Sequence, residues 1–212
     1  MELQSALAPT LIATALSVGV VHTLIGVDHA LPFIVLGRAQ RWSLRKTLIV
    51  TTLCGVGHVL SSVVIGAVGI ALGVAVGRLE SIESGRGELA AWLLIGFGLA
   101  YAAWGILRVV RGRTRRVTTA PSIGALFVIF VLGPCEVLIP LLMVPAATGH
   151  PGLIVAVVAV FGLATVVTMV TVVTLGYLGL RRPLFDALGD HLHTVAGLII
   201  AVSGLGIRLL GI

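Results

Sequence analysis

Apolar residues fall in long blocks separated by short polar stretches. Blocks at 10–37, 47–77, 89–110, 121–147, 151–180 and 192–211 each reach the roughly 20 residues that a membrane-spanning helix needs. The pattern predicts an all-α, polytopic membrane protein of six transmembrane helices, with no room for a soluble domain in 212 residues. Composition agrees: 58% of residues are hydrophobic and 10% charged, and the mean hydropathy is +1.17, which excludes an ordinary soluble domain. The net charge of +6 is no sign of nucleic-acid binding, because the arginines sit in short loops between apolar runs. The first residues, Met1-Glu2-Leu3-Gln4, carry no basic region and no cleavage site, so no signal peptide is expected. Cys54 and Cys135 both lie inside apolar blocks, which argues against a disulfide framework.

Charge sets the expected orientation. Three alternate loops hold eleven of the fourteen Lys and Arg residues: Arg38, Arg41, Arg45 and Lys46; Arg108, Arg111, Arg113, Arg115 and Arg116; Arg181 and Arg182. By the positive-inside rule these loops face the cytoplasm of a cell membrane, and both termini lie outside. The stretch 78–88, with Glu80, Glu83 and Glu88 against Arg78 and Arg86, reads as a mixed outer loop.

A repeat underlies the blocks. Gly26-Val27-Asp28-His29-Ala30-Leu31 lies over Gly133-Pro134-Cys135-Glu136-Val137-Leu138 at an offset of 107, Gly57 over Gly162 at 105, Gly98-Leu99 over Gly204-Leu205 at 106, and Pro32 over Pro140 at 108. Residues 1–112 and 113–212 are therefore expected to be two three-helix repeats within one membrane domain. With three spans each, the second is inverted relative to the first. Inverted repeats with Gly/Pro-interrupted helices are a transporter architecture, with the site where the broken helices meet. Gly26 and Pro32 interrupt the first block, and Gly133, Pro134 and Pro140 the fourth.

The polar residues inside these blocks carry the chemistry. Residues 10–37 contain no Lys, Arg or Glu, yet hold His22, Asp28 and His29. A charge at the bilayer centre costs about 2.5–3.5 kcal/mol on insertion scales, so such groups mark ion paths, proton relays or metal sites. Asp28 and Glu136 are the only acids of eight expected within the blocks, beside His29 and Cys135 respectively. His22 and His29 are two helical turns apart, and Cys54 and His58 share a face at i, i+4, continued by Ser61 and Ser62. Gly69, Gly73 and Gly77 form a small-residue strip for a close helix. Thr165, Thr168 and Met169 face the same region from the fifth block. Imidazole with carboxylate suits divalent Ni, Co, Zn or Fe, whereas thiolates favour Cu(I) or Zn. Each residue also has a packing role open to it: an imidazole bonded to a backbone carbonyl, a thiol serving as a small apolar group, Glu136 as a proton carrier. His150, His191 and His193 are expected in loops, solvated. Trp42, Trp92, Trp104 and Tyr101 are expected to anchor the membrane interface.

The pattern His22-x3-Gly26-x-Asp28-His29, followed by Gly55-x-Gly57-His58, resembles the UreH-like transmembrane family, and is similar to the wider nickel/cobalt transporters and the HupE/UreJ proteins. The spacing from His22 to Asp28 is that of UreH-like and HupE proteins, one residue longer than in the strict nickel/cobalt permeases. The resemblance implies a transporter of nickel or cobalt ions with His22, Asp28, His29 and His58 as ligands. Gly133-Pro134-Cys135 with Pro140 is similar to the CcdA/DsbD thiol-redox carriers, in which a pair of cysteines on symmetry-related spans passes electrons; here the repeat partner of Cys135 is Asp28.

These observations lead to a transporter of a divalent transition-metal ion rather than an enzyme, with no resident cofactor. The metal set is His22, Asp28, His29, His58, Cys135 and Glu136. Its partners are the ion and the lipid bilayer, with a homo-oligomer expected for so small a transporter. A transmembrane thiol-redox carrier is the alternative. No H-E-x-x-H, G-x-S-x-G or Ser/His pair points to hydrolysis.

Overall fold

The computed structural model of the chain describes residues 2–112, 120–135, 137–179 and 188–210, and among these every regular element is helical. Five segments are long and apolar enough to cross a membrane: Leu7–Ile25, Leu44–Ala71, Val76–Val110, Pro151–Gly179 and Gly189–Leu209. The first belongs to α1 (Glu2–Ile25). The next three are α3 (Leu44–Ala71), α4 (Val76–Val110) and α7 (Pro151–Gly179), and the last contains most of α8 (Leu192–Leu210).

Two of the six expected spans are not continuous. The block 10–37 is α1, a 3-10 turn at Val27–His29, and the nine-residue α2 (Leu31–Ala39). The block 121–147 is two short helices, α5 (Ala120–Leu132) and α6 (Leu138–Ala147). Local chemistry explains both breaks. Gly26 is extended (φ −68°, ψ 97°) and ends α1, while Pro32 sits in the first turn of α2, where its missing N–H costs nothing. Pro134 has no N–H to continue α5, and Pro140 falls in the first turn of α6.

The expected loop at 78–88 is instead the first part of α4, which runs 35 residues. Glu, Arg, Leu and Ile are sound helix formers, and the chain turns before them: Gly73 takes φ +64° and the Val74 N–H closes on the Gly69 carbonyl at 2.9 Å. Of the small-residue strip, Gly69 packs on Leu79, Gly73 makes this turn, and Gly77 faces open space.

The helices meet through glycines, as expected where lipid gives no hydrophobic drive to association and close backbone approach decides packing. On α4 and α8, a Cβ at Gly98 would lie 2.4 Å from the Ala201 nitrogen, and one at Gly197 would lie 2.4 Å from the Ala102 nitrogen. Between α3 and α7, Gly55 faces Val166 and Met169 while Gly162 faces Val59. Gly19 of α1 lies against Phe161 and Ala164 of α7. Two apolar clusters fill the interior, one around Phe33, Leu36, Phe130, Met169 and Ile200, the other around Leu11, Cys135, Leu138 and Phe161. Leu53, Leu60, Leu163, Leu175 and Val202 point outward, as a lipid-facing surface requires.

Three expectations for polar and aromatic residues change. His193 is a buried residue of α8, not a solvated one, with Nδ1 2.8 Å from the Tyr101 hydroxyl and Nε2 2.6 Å from Arg108. Trp42 and Tyr101 are buried rather than interfacial, whereas Trp92 and Trp104 do face outward. Trp42 donates to Gln40 Oε1 at 3.1 Å, and its carbonyl accepts from the Tyr177 hydroxyl at 2.5 Å. Gln40 Nε2 also donates to the Tyr101 hydroxyl at 3.4 Å, so these bonds tie α4, α7, α8 and the α2–α3 turn together at the end opposite the α3–α4 turn. Glu136 and the loop arginines Arg113, Arg115, Arg116, Arg181 and Arg182 lie outside the described residues.

Candidate metal centre

The break after α1 sets the centre of the site. His22 is in the last turn of α1, and His29 ends the 3-10 turn that follows. His58 reaches them from the middle of α3. The His22 and His29 rings are edge to face at 4.9 Å between centroids, His29 and His58 likewise at 5.3 Å, and His22 and His58 are stacked at 6.4 Å. One ring nitrogen from each lies within 4.8 Å of the other two. Nitrogens around one tetrahedral ion at bonds of about 2.0–2.1 Å would sit about 3.3 Å apart, so small rotations of the rings close the set. No other group of three described His, Cys, Asp or Glu residues converges in this way.

Hydrogen bonding fixes which nitrogen faces inward. His29 Nδ1 is 3.2 Å from the Gly26 carbonyl and 3.2 Å from Asp28 Oδ1. His58 Nδ1 is 3.2 Å from the Phe130 carbonyl. Carbonyl oxygens only accept, so each Nδ1 is the donor, and the Nε2 lone pair is left free in the neutral ring. The Nε2 atoms of His22, His29 and His58 are all buried with no hydrogen-bond partner. Buried polar atoms are nearly always bonded; three unpartnered ring nitrogens on grouped histidines form a set that could hold a metal ion.

The second break supplies the carbonyl that holds His58. In a continuous helix the Phe130 carbonyl would accept from residue 134, but that residue is proline; the oxygen accepts instead from the Gly133 N–H at 3.1 Å and from His58 Nδ1. The same break leaves Val131 O and the Cys135 N–H without helical partners, and two α4 side chains the sequence assigned to a loop take them. Arg86 donates to Val131 O at 2.7 Å, and Cys135 N–H donates to Glu83 Oε2 at 3.1 Å and Ser62 Oγ at 3.2 Å. Arg86 and Glu83 form an ion pair, Ser62 donates to Glu83 at 2.9 Å, and Glu83 is wholly buried. The sequence signal was the Glu83-x-x-Arg86 spacing beside Gly87, whose missing side chain lets Pro134 pack against α4.

Of the expected ligands, His22, His29 and His58 therefore come together. Asp28 lies behind His29, on its Nδ1 side, where a carboxylate orients a ligating imidazole and raises its basicity. Cys135 is buried in the cluster with Leu138 and Phe161, outside the imidazole group. Cys54 packs in the other apolar cluster, and neither thiol is paired. A cavity of about 350 Å³ runs from the three histidines past Gly87, Gly133 and Pro134 to Glu88 and Arg208, which pair at 3.2 Å at the exposed end. Phe130 and Leu94 form its apolar wall.

An all-imidazole set with an anionic residue behind it suits borderline divalent metals and is poorly matched to Mg²⁺ or Ca²⁺, which require oxygen ligands. Comparison of the chain with protein-family models, with curated proteins and with solved structures finds no match, so the chemistry of the site rests on its own geometry.

Proposed function

We propose that this chain is a membrane transporter of a divalent transition-metal ion, nickel or cobalt foremost, that holds its cargo on His22, His29 and His58. The observation that carries this reading is that three histidines bring a ring nitrogen each within 4.8 Å of one another while their buried Nε2 atoms have no partner. A packing histidine satisfies both nitrogens; His29 and His58 satisfy Nδ1 alone, and the Nε2 atoms of all three rings are left without a partner. Mid-depth ligands beside an interrupted helix suit passage, because the ion exchanges its water for protein ligands where the bilayer offers none. On this reading the fold is two inverted three-span repeats related to the UreH-like and nickel/cobalt transporter families, α1–α4 and α5–α8, each opening on a broken span.

Three features support the repeat. The offset of 107 holds across both breaks: α1 and α5 end at Ile25 and Leu132, and α2 and α6 begin at Leu31 and Leu138. The contacts Gly55–Val166 and Gly162–Val59 exchange under the same offset. The last spans of the two halves, α4 and α8, pack on each other, Gly98 against Ala201 and Gly197 against Ala102. By the positive-inside rule the Glu88–Arg208 mouth opens to the outside of the cell membrane, as do both termini, and ions arrive from that face. The protein acts on the ion without bond chemistry and is not an enzyme; a homo-oligomer in the bilayer is the expected assembly. Cys54 and Cys135, the thiols a redox carrier would need, pack in separate clusters.

The test is divalent-metal flux (Ni, Co, Zn, Mn, Fe) into proteoliposomes for wild type, His29→Ala and the double variant Cys54→Ser/Cys135→Ser. Flux of Ni or Co that vanishes in His29→Ala and survives loss of both thiols is expected. No flux of any metal, with the thiol state following an external dithiol across the bilayer, would replace this reading with electron transport.

A further inference from the structure

We infer that Arg86, anchored by Glu83, is a positioning residue for His58: it holds the broken end of α5 so that the Phe130 carbonyl fixes the His58 tautomer and aims its Nε2 at the metal. This rests on the metal reading of the three-histidine site but concerns residues outside it.

Two routes connect the guanidinium to the imidazole. Through the backbone, Arg86 binds Val131 O at 2.7 Å, and the preceding carbonyl, Phe130 O, binds His58 Nδ1 at 3.2 Å. Both oxygens sit in the last turn of α5. Pro134 has no N–H for Phe130 O, which takes the Gly133 N–H at 3.1 Å besides His58. The Cys135 N–H that would serve Val131 O is turned to Glu83 and Ser62. With Arg86 removed, the Val131 carbonyl would lose its donor in a dry interior. The turn would then be driven to re-form around other donors, among them the Cys135 N–H now held by Glu83 and Ser62. Through the side chains, Arg86 donates to Ser61 Oγ at 2.9 Å, and Ser61 donates to the His58 carbonyl at 2.8 Å. The guanidinium thus fixes both the main chain of His58 and the oxygen that its ring contacts. A planar group with several fixed donors is suited to bind a carbonyl, a hydroxyl and a carboxylate at once.

Glu83 makes Arg86 tenable at this depth. It is wholly buried, and its carboxylate takes the ion pair with Arg86, the Ser62 hydroxyl and the Cys135 N–H. A buried carboxylate with these partners stabilises the guanidinium opposite; alone it would be an uncompensated charge. Glu83 therefore pins the start of the α6 side of the break, and Arg86 pins the α5 side.

The test uses the full chain in nanodiscs with ¹⁵N-labelled histidine, the His58 signals being assigned by their loss in His58→Asn. In metal-free wild type, His58 is expected as the single tautomer protonated at Nδ1. In Arg86→Gln, ring ¹⁵N shifts averaged between tautomers are expected, with Ni²⁺ affinity lowered on the order of 10–100-fold, the usual cost of losing an outer-shell contact. Arg86→Lys, which keeps a cation able to reach Val131 O, is expected to recover the single tautomer and much of the affinity. An Arg86→Gln protein with an unchanged Nδ1–H tautomer and unchanged affinity, whatever its melting temperature, overturns the inference and leaves Arg86 a structural residue. If Arg86→Gln does not fold because Glu83 is left charged and unpaired, Glu83→Gln/Arg86→Gln removes both charges and is read the same way. If the wild type binds no divalent metal, the transport reading fails, while the metal-free tautomer still decides the role of Arg86.

Discussion

Gly26→Ala tests the site most directly, because one methyl group is aimed at one ligand. A Cβ at Gly26 would lie 2.1 Å from His29 Nδ1, 2.6 Å from its Cε1 and 3.1 Å from Asp28 Oδ1. Ordinary contact begins near 3.4 Å, so the ring must retreat by at least about 1.3 Å (3.4 − 2.1). Backbone strain does not enter, since φ −68° suits alanine. The methyl acts by taking the space in which Nδ1 reaches both the Gly26 carbonyl and Asp28. Each lost hydrogen bond costs about 0.5–1.5 kcal/mol; the two together make about 1–3 kcal/mol, or on the order of 10–100-fold in Kd. The expected result is a Ni²⁺ or Co²⁺ Kd raised by that factor in calorimetric titration of the purified protein, together with a lowered metal-free melting temperature, since the buried ring loses the same bonds without metal. Gly133→Ala, whose Cβ would stand 3.2 Å from His58 Nδ1, should lose less, and Gly96→Ala, which faces open space, should lose nothing. A Gly26→Ala protein that binds as tightly as wild type would refute the placement of His29 in the site.

Two further outcomes follow from the same geometry. Asp28→Asn keeps an oxygen that can accept from His29 Nδ1 but removes its charge, so Ni²⁺ affinity should fall on the order of 10-fold, while His29→Ala should abolish it; equal losses would make Asp28 a direct ligand. Gly98→Ala pushes a methyl to 2.4 Å from the Ala201 backbone, which cannot rotate away, and should cost about 1–3 kcal/mol in chemical unfolding. Gly96→Ala, two residues earlier and unopposed, should instead gain about 0.4–1 kcal/mol, and destabilisation by both would mean the α4–α8 crossing is misplaced.

Much of this was legible in the sequence because membrane helices and their interruptions are written in composition. The apolar blocks, the breaks at Gly26 and Gly133-Pro134, and the isolation of His22, His29 and His58 among apolar residues all follow from that. What escaped was where polarity is internal rather than exposed. Glu83 and Arg86 lie in a stretch as charged as a loop, and a hydropathy pattern cannot tell a solvated charge from one paired inside a helix. His193 was hidden likewise, since its partners Tyr101 and Arg108 are far away in sequence. Cys135 was singled out as a candidate ligand because it sits between Pro134 and the carboxylate of Glu136; in the structure the break at that proline turns its N–H toward Glu83 while its side chain packs with Leu138 and Phe161.

The two breaks meet the same physical demand in different ways, and the difference bears on mechanism. An interrupted helix in an apolar interior leaves backbone groups that must find partners, and it leaves partial charge at its ends. At the second break the cation that meets the α5 carbonyls is Arg86, tethered to α4 and neutralised by Glu83. At the first break the Gly26 carbonyl is met by the His29 amide and ring, and no Lys or Arg occurs from residue 10 to 37. Asp28 there pairs with His29 Nδ1 and lines the same cavity as the three imidazoles, whose Nε2 atoms have no partner. A tethered guanidinium can brace a helix end but cannot leave it. On the transport reading the first break, where Asp28 stands beside the grouped imidazoles, is the one that takes up a cation and releases it. On that reading the chain thus divides its labour: one broken span carries the ion, and the other, braced by the Glu83–Arg86 pair of α4, holds His58 in place to receive it.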